Sequence, residues 1–270
     1  MLLLGKVVLV AGSTYGIGLG IAERFAREGA RLVVNGRSGD RLQEVAYRLE
    51  AEGTQVLAVE ADLGVEMEVE RLFDRALERF GALDVLVNNA RQYVNLGESG
   101  PFLTMRSEGW DRFMAVNLGI LFYCTQRAAR IMARQRRGSI INISSIGAVR
   151  AHRQMIAYDA MKGAVDAFTR AVAVDLAPWG VRVNSIQPGA IAASLWDRLP
   201  PEERGQRASG IPMGRAGCPG DVAWAATFLA SDDAAYVTGQ SFQVDGGLLA
   251  AARSPQSEMA PVVGPDTLEI

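Results

Sequence analysis

Short runs of β-branched and aliphatic residues alternate along this chain with longer stretches whose apolar positions recur every three or four residues. Lys6 to Ala11, Arg31 to Asn35, Gln55 to Glu60, Leu83 to Val87, Ser139 to Ile143, Val181 to Ile186 and Ser241 to Val244 are the short runs. Leu19 to Glu28, Gly39 to Glu52, Val65 to Phe80, Ser107 to Arg137, Gly163 to Ala177 and Asp221 to Leu229 carry the helical period. The first run, KVVLVA, is apolar almost throughout instead of alternating with polar residues, which marks a strand buried on both faces. Such strands separated by amphipathic helices predict an α/β domain with helices on both faces of a parallel sheet. The pattern weakens in three places. It breaks inside the fourth helical stretch near Asn117-Leu118-Gly119, it has little period from 190 to 216, and it ends in a Pro/Ser/Glu-rich segment from 251 to 270. The stretch 190–216 reads as a lid loop, because unstructured segments that long in a compact domain usually serve function. No repeat or linker divides the chain, so residues 1–250 read as one domain and 251–270 as a C-terminal extension.

Composition acts mainly by exclusion. The 270 residues are 49% hydrophobic and 21% charged with a net charge of −2, which offers no basic field for nucleic acid. Met1-Leu2-Leu3-Leu4 is cut short by Gly5-Lys6, and no apolar run is long enough to cross a membrane. Two cysteines, Cys124 and Cys218, make no disulfide framework and point to a cytoplasmic home. His152 is the single histidine, so the sequence offers no metal-ligand cluster, and none is expected to polarise a substrate.

The candidate chemistry starts in the turn after the first strand, Gly12-Ser13-Thr14-Tyr15-Gly16-Ile17-Gly18. Glycines between a strand and a helix allow a tight turn, a close approach of backbone to a pyrophosphate and close helix–strand packing. The helix N-terminus adds N–H donors and partial positive charge. The second strand ends Asn35-Gly36-Arg37-Ser38. An acid there would hydrogen-bond the ribose of NAD and repel a 2′-phosphate; the guanidinium favours NADP, with NAD as the alternative. Asp62 follows the third strand, where it would meet an adenine amino group or cap the next helix. Tyr158 and Lys162 stand four residues apart near a helix start, hence on one face. A phenol with a pKa of about 10 trades protons poorly near neutrality, and an adjacent ammonium favours its ionised form, so the pair fits a general acid/base. The hydroxyl pair Ser144-Ser145 lies one loop upstream. Asn184 interrupts a buried strand and needs its amide satisfied. Arg127, Arg130, Arg134, Arg136 and Arg137 gather at a helix C-terminus, which the dipole favours; the alternative is a docking patch for an anionic substrate carrier.

In this order, GSTYGIG at Gly12–Gly18, NNA at Asn88–Ala90, Asn117, Ser145, YDAMK at Tyr158–Lys162, Asn184, Pro188-Gly189 and the closing VTGQ…VDGG resemble the short-chain dehydrogenase/reductase family, over about residues 5 to 249. The resemblance implies a single doubly wound, Rossmann-type domain with a seven-stranded parallel sheet, a nicotinamide cofactor and a homotetramer. It implies hydride exchange between nicotinamide and a carbonyl or carbinol carbon. Tyr158 would give or take the proton, and Lys162 would bind the nicotinamide ribose and lower the phenol pKa. Ser145 would hold the substrate oxygen, Asn117 would support a proton relay through water, and Ser144 would be structural. The implied cofactor contacts begin with Gly12, Ser13, Tyr15, Gly16, Ile17 and Gly18. They continue through Arg37, Asp62, Leu63, Asn89 and Ala90, and end with Tyr158, Lys162, Pro188, Gly189 and Ile191. The substrate would be a small carbonyl or alcohol: a ketone, a sugar or polyol, or a 3-oxoacyl thioester on an acyl carrier. A dinucleotide-sensing scaffold without turnover is the non-enzymatic alternative. The chain departs from the family pattern at Ala11, where Thr is usual, at Arg91, where NNAG has Gly, and at Ala193, where Thr is usual and Ser194 would substitute. The loop after Arg91 also reads as longer than in many relatives. The composition of the extension favours a loose or incidentally packed tail; the alternative is that Met259, Val262, Val263, Leu268 and Ile270 anchor it over a neighbouring subunit's pocket.

Overall fold

In the computed structural model, which describes residues 1–95, 98–193 and 199–252, the apolar runs form one seven-stranded parallel sheet. Its strands are β1 (Val7–Ala11), β2 (Arg31–Gly36), β3 (Val56–Glu60), β4 (Val85–Asn88), β5 (Gly138–Ile143), β6 (Val181–Pro188) and β7 (Ser241–Val244). They lie in the order β3-β2-β1-β4-β5-β6-β7. The chain begins mid-sheet, winds outward to β3, then crosses back to β4. Loops leaving β1 and β4 therefore diverge, and a crevice opens at their C-terminal ends.

The helices are α1 (Gly16–Arg27), α2 (Gly39–Ala51), α3 (Glu66–Phe80), α4 (Ser107–Gln135), α5 (Ile156–Leu176), α6 (Pro201–Ser209) and α7 (Pro219–Ala230). Side chains of a strand alternate between faces, and both faces of β1 are dry. Val8 and Val10 pack with Ile21 and Phe25 of α1, Leu42 and Leu49 of α2 and Leu229 of α7. Val7, Leu9 and Ala11 pack with Leu72 and Phe73 of α3 and Ile120 and Cys124 of α4. This two-sided burial is why the run is apolar at every position. Asn184 is fully buried in β6 and satisfied: its Nδ2 donates to Val237 O at 2.9 Å and its Oδ1 accepts from Gln240 N at 3.0 Å.

Three expectations are corrected. Helix α4 runs unbroken through Asn117, whose Nδ2 donates to Phe113 O one turn back at 2.9 Å, so the amide is satisfied without opening the helix. Residues 190–216 contain α6 rather than a loop throughout. Val65, not Asp62, takes the N-cap position of α3; Asp62 Oδ1 instead accepts from Gly64 N at 2.8 Å and from the Gln92 side chain. Ser194 and the extension from 253 to 270 lie outside the described residues, and with them the readings placed there.

Candidate active site

The crevice at the C-terminal end of the sheet is a cavity of about 670 Å³. One wall is the glycine turn. Gly12 has φ +69°, and a Cβ on it would come within 2.9 Å of Ala90 Cα. A Cβ on Gly18 would run into Gly12 O and Asn89 Nδ2, so α1 sits against β1 at a distance only glycine permits. Asn89 Nδ2 donates to Gly12 O at 2.8 Å and ties the turn to the end of β4. The site residues Gly12, Tyr15, Gly16, Ile17, Arg37, Leu63, Asn89 and Ala90 line this end, and Pro188, Gly189 and Ile191 line the opposite wall. Ser13, Gly18 and Asp62 do not line the cavity among the described residues. Ser13 is fully buried and binds β2 instead, its Oγ accepting from Asn35 N at 2.9 Å.

The catalytic candidates meet at the base. Tyr158 and Lys162 project from the first turns of α5, and Ser145 follows β5, where its backbone is extended and its Oγ accepts from Gly147 N at 3.0 Å. All three line the cavity. Ser144 also lines the cavity, and its Oγ donates to Lys162 O at 3.2 Å. Burial pushes the Tyr158 phenol above its ordinary pKa, opposed by a hydrogen bond with Ser145 and by the charge of Arg91. Burial, reinforced by Arg91 and opposed by Asp166, brings the Lys162 ammonium down to about 7, while its Nζ donates to Ile143 O at 2.6 Å. The charge of Arg91 thus joins Lys162, whose Nζ lies 5.8 Å from the centre of the Tyr158 ring, beside the phenol. Asn117 lies behind the site. It lines a second cavity of about 20 Å³ with Asn88 and Lys162, and its amide clamps Gln92, accepting from Gln92 N at 2.9 Å and donating to Gln92 O at 3.0 Å.

Comparison with known proteins shows which family has this fold. A family model described as enoyl-(acyl carrier protein) reductase matches residues 11–249. A 3-oxoacyl-(acyl-carrier-protein) reductase of Staphylococcus aureus is 36% identical over 90% of this chain and 98% of its own. The chain belongs to the short-chain dehydrogenase/reductase family. A 3-oxoacyl-(acyl-carrier-protein) reductase of Synechocystis is 37% identical over 92% of this chain and 98% of its own. Among solved structures, levodione reductase superposes with a TM-score of 0.85 at 30% identity, covering 92% of this chain and 99% of that one. An NADPH-dependent reductase involved in bacilysin biosynthesis has the same TM-score at 28% identity, covering 92% of this chain and 99% of its own. This short-chain dehydrogenase/reductase is therefore an oxidoreductase. Among its described residues no helix is long and apolar enough to cross a membrane, and no group of His, Cys, Asp or Glu is placed to hold a metal.

Other lining residues, among them Gln92, Leu199 and Arg207, carry no motif that a sequence could flag. Arg91 was noticed only as a departure. Its backbone needs no glycine: outside glycine, the left-handed residues among those described are Asn95, Arg136 and Gln154. Its guanidinium lies over the ring of Tyr93 at 4.2 Å and over that of Tyr158 at 4.9 Å.

Proposed function

We propose that this protein is an NADP(H)-dependent reductase of a carbonyl group to a secondary alcohol, or the reverse dehydrogenase, with Tyr158 as general acid/base. The observation that carries the reading is the convergence of Ser145 and Tyr158 in a cavity whose described lining has basic side chains (Arg37, Arg91, Lys162, Arg207) and no acidic one. The glycine-walled end has the form of a pyrophosphate cradle, and the absence of acids suits a cofactor with an additional phosphate. Arg37 is exposed at the lip of that end and forms no ion pair among the described residues, which leaves it open to a 2′-phosphate.

When bound, the reduced nicotinamide supplies the hydride to the carbonyl carbon. The chain's own residues do the rest. A carbonyl oxygen between Ser145 and Tyr158 accepts a hydrogen bond from each hydroxyl, and the phenol proton passes to that oxygen as it gains charge. In the oxidative direction the phenolate takes the proton back. Lys162 faces the same space, where its ammonium can hold ribose hydroxyls. The cavity behind it has the volume of about one water, and Asn88, whose Oδ1 is buried without a hydrogen-bond partner, lines it beside Lys162 and Asn117. That supports a water-mediated path for replacing the proton, with Asn117 holding the wall in place through Gln92.

Carbonyl chemistry is favoured over reduction of a carbon–carbon double bond because both hydroxyls converge where a substrate oxygen is held. For a carrier-bound 3-oxoacyl thioester, the substrate in the relatives' names, the arginines at the end of α4 give divided support. Arg127 is tied to Glu70 and Asp74, Arg137 pairs with Asp84 at 3.1 Å, and Arg136 lies over Trp179 at 4.8 Å, whereas Arg130 and Arg134 are exposed with no ion pair among the described residues. The family's homotetramer is part of the proposal. Strand β7 is one of the two edges of the sheet, and Phe122 of α4, Val174 of α5, Trp224 and Phe228 are exposed apolar side chains that a neighbour would cover. The test is NADPH fluorescence on binding, followed by its oxidation on a panel of ketones, sugars and 3-oxoacyl thioesters. Binding with turnover on at least one carbonyl is expected; tight binding with no turnover on any would favour the dinucleotide-sensing alternative.

A further inference from the structure

Arg91 is the cation nearest the reacting end of the cavity. It stands at the end of the Asn88–Ala90 segment, lines the cavity, and lies over Tyr158 at 4.9 Å. Its guanidinium is held in place by Tyr93, through a hydrogen bond to the phenol and a ring contact at 4.2 Å. Among the described residues no carboxylate pairs with it, whereas Arg24, Arg48, Arg127, Arg207 and Arg215 each have one. A partly enclosed guanidinium with five N–H donors, oriented on two aromatic faces and lacking an acid, is a site for a planar anion. Its neighbours agree in sign: Lys162 is cationic below about 7, and no acid lines the cavity among the described residues.

We propose that Arg91 binds a carboxylate of the substrate, so that the substrates of this enzyme are short oxo acids and their hydroxy acids. This rests on the reductase reading above, because it takes Ser145 and Tyr158 to hold the carbonyl oxygen. Because the guanidinium lies over the Tyr158 ring at 4.9 Å, a carboxylate bound to it would be within a few carbons of a carbonyl held by the Tyr158 hydroxyl, as in a short oxo acid such as a 2- or 3-oxo acid. The reaction balances as written: the hydride reduces the carbonyl carbon, the Tyr158 proton goes to its oxygen, and the carboxylate stays bound and unchanged.

The test compares acetoacetate with methyl acetoacetate in the wild type, Arg91→Gln and Arg91→Lys. A charge-assisted bidentate contact is worth about 10- to 100-fold. The wild type is expected to favour the acid in kcat/KM by about that factor. Arg91→Gln should lose the preference, and Arg91→Lys should keep part of it. The acid-to-ester ratio cancels any effect of the variant on Tyr158 itself, so a merely structural role would leave it unmoved. An unchanged ratio, or a wild-type preference for the ester, would overturn the proposal. So would a rise in the NADPH Kd of Arg91→Gln that matches the loss on the acid, since Arg91 would then belong to the cofactor. Equilibrium binding of acetoacetate to the wild type and to Arg91→Gln, followed by tryptophan fluorescence, decides the matter without turnover. Weaker binding to the variant supports the site; equal binding, or none to either, removes it. Absence of NADPH oxidation on every ketone would remove the reductase reading and leave the carboxylate site to this binding comparison.

Discussion

At Tyr158, burial opposes ionisation of the phenol while Ser145 and Arg91 favour it, and at Lys162 burial and Arg91 together oppose the ammonium. The second balance has a measurable sign. Lys162 falls from 10.5 in the unfolded chain to about 7 in the fold, so between those values the unfolded chain binds more protons. Its contribution therefore makes the protein more stable as pH rises from about 7 towards 10.5, and its burial cost is fully present below 7. Denaturant unfolding of Lys162→Met and wild type without cofactor should show a stability difference that moves in favour of the wild type between pH 6.5 and 9. A pH-independent difference would mean that burial does not penalise the ammonium. Arg37→Ala should weaken NADPH by about 1.5–3 kcal/mol and leave NADH nearly unchanged, because only the 2′-phosphate loses a partner. Equal weakening of both cofactors in fluorescence titrations would make Arg37 structural. Residues that carry motifs were legible: Tyr158 and Lys162 share a face as their spacing required, and Ser145, placed beside them by the family resemblance, lines the same cavity. The charge of Arg91 on that cluster was not, since it depends on the fold bringing the end of β4 over the start of α5.

The same distinction holds among the elements. The strands were legible because two dry layers require every position of a run to be apolar. Helix α6, PEERGQRAS, was not: none of its residues is buried, so it presents no apolar stripe to read. The break expected in α4 was a propensity reading of Asn117-Leu118-Gly119. A bond from the Asn117 amide to Phe113 O within the helix, and tertiary bonds to Gln92, override it. The contact between α1 and β1 supplies the sharpest test at this scale. Gly18→Ala places a methyl against Gly12 O and Asn89 Nδ2, so the glycine turn must move. We expect a loss of about 1–3 kcal/mol in stability from overpacking, with NADPH binding weakened more than tenfold. Wild-type denaturation midpoint and NADPH affinity together would show that the close approach is not required.

For the whole molecule, the family fixes the architecture, and the proposed chemistry is placed in the cavity, while assembly and substrate rest on surfaces that no motif encodes. If β7 and the exposed side chains of α4, α5 and α7 are subunit contacts, light scattering should give four times the 29.0 kDa chain mass. A monomeric mass at micromolar concentration would remove the tetramer. The central claim is that one phenol transfers the proton in a site that binds the dinucleotide without it. Tyr158→Phe keeps the ring and its packing and removes only the hydroxyl. The deciding measurement is the turnover of this variant at saturating NADPH, on the best ketone of the wild type, with the NADPH Kd determined on the same preparation. The account predicts a fall in kcat of about 10²- to 10⁴-fold with NADPH affinity within a factor of about two of wild type. Turnover close to wild type, or a loss of cofactor affinity as large as the loss of rate, would contradict it.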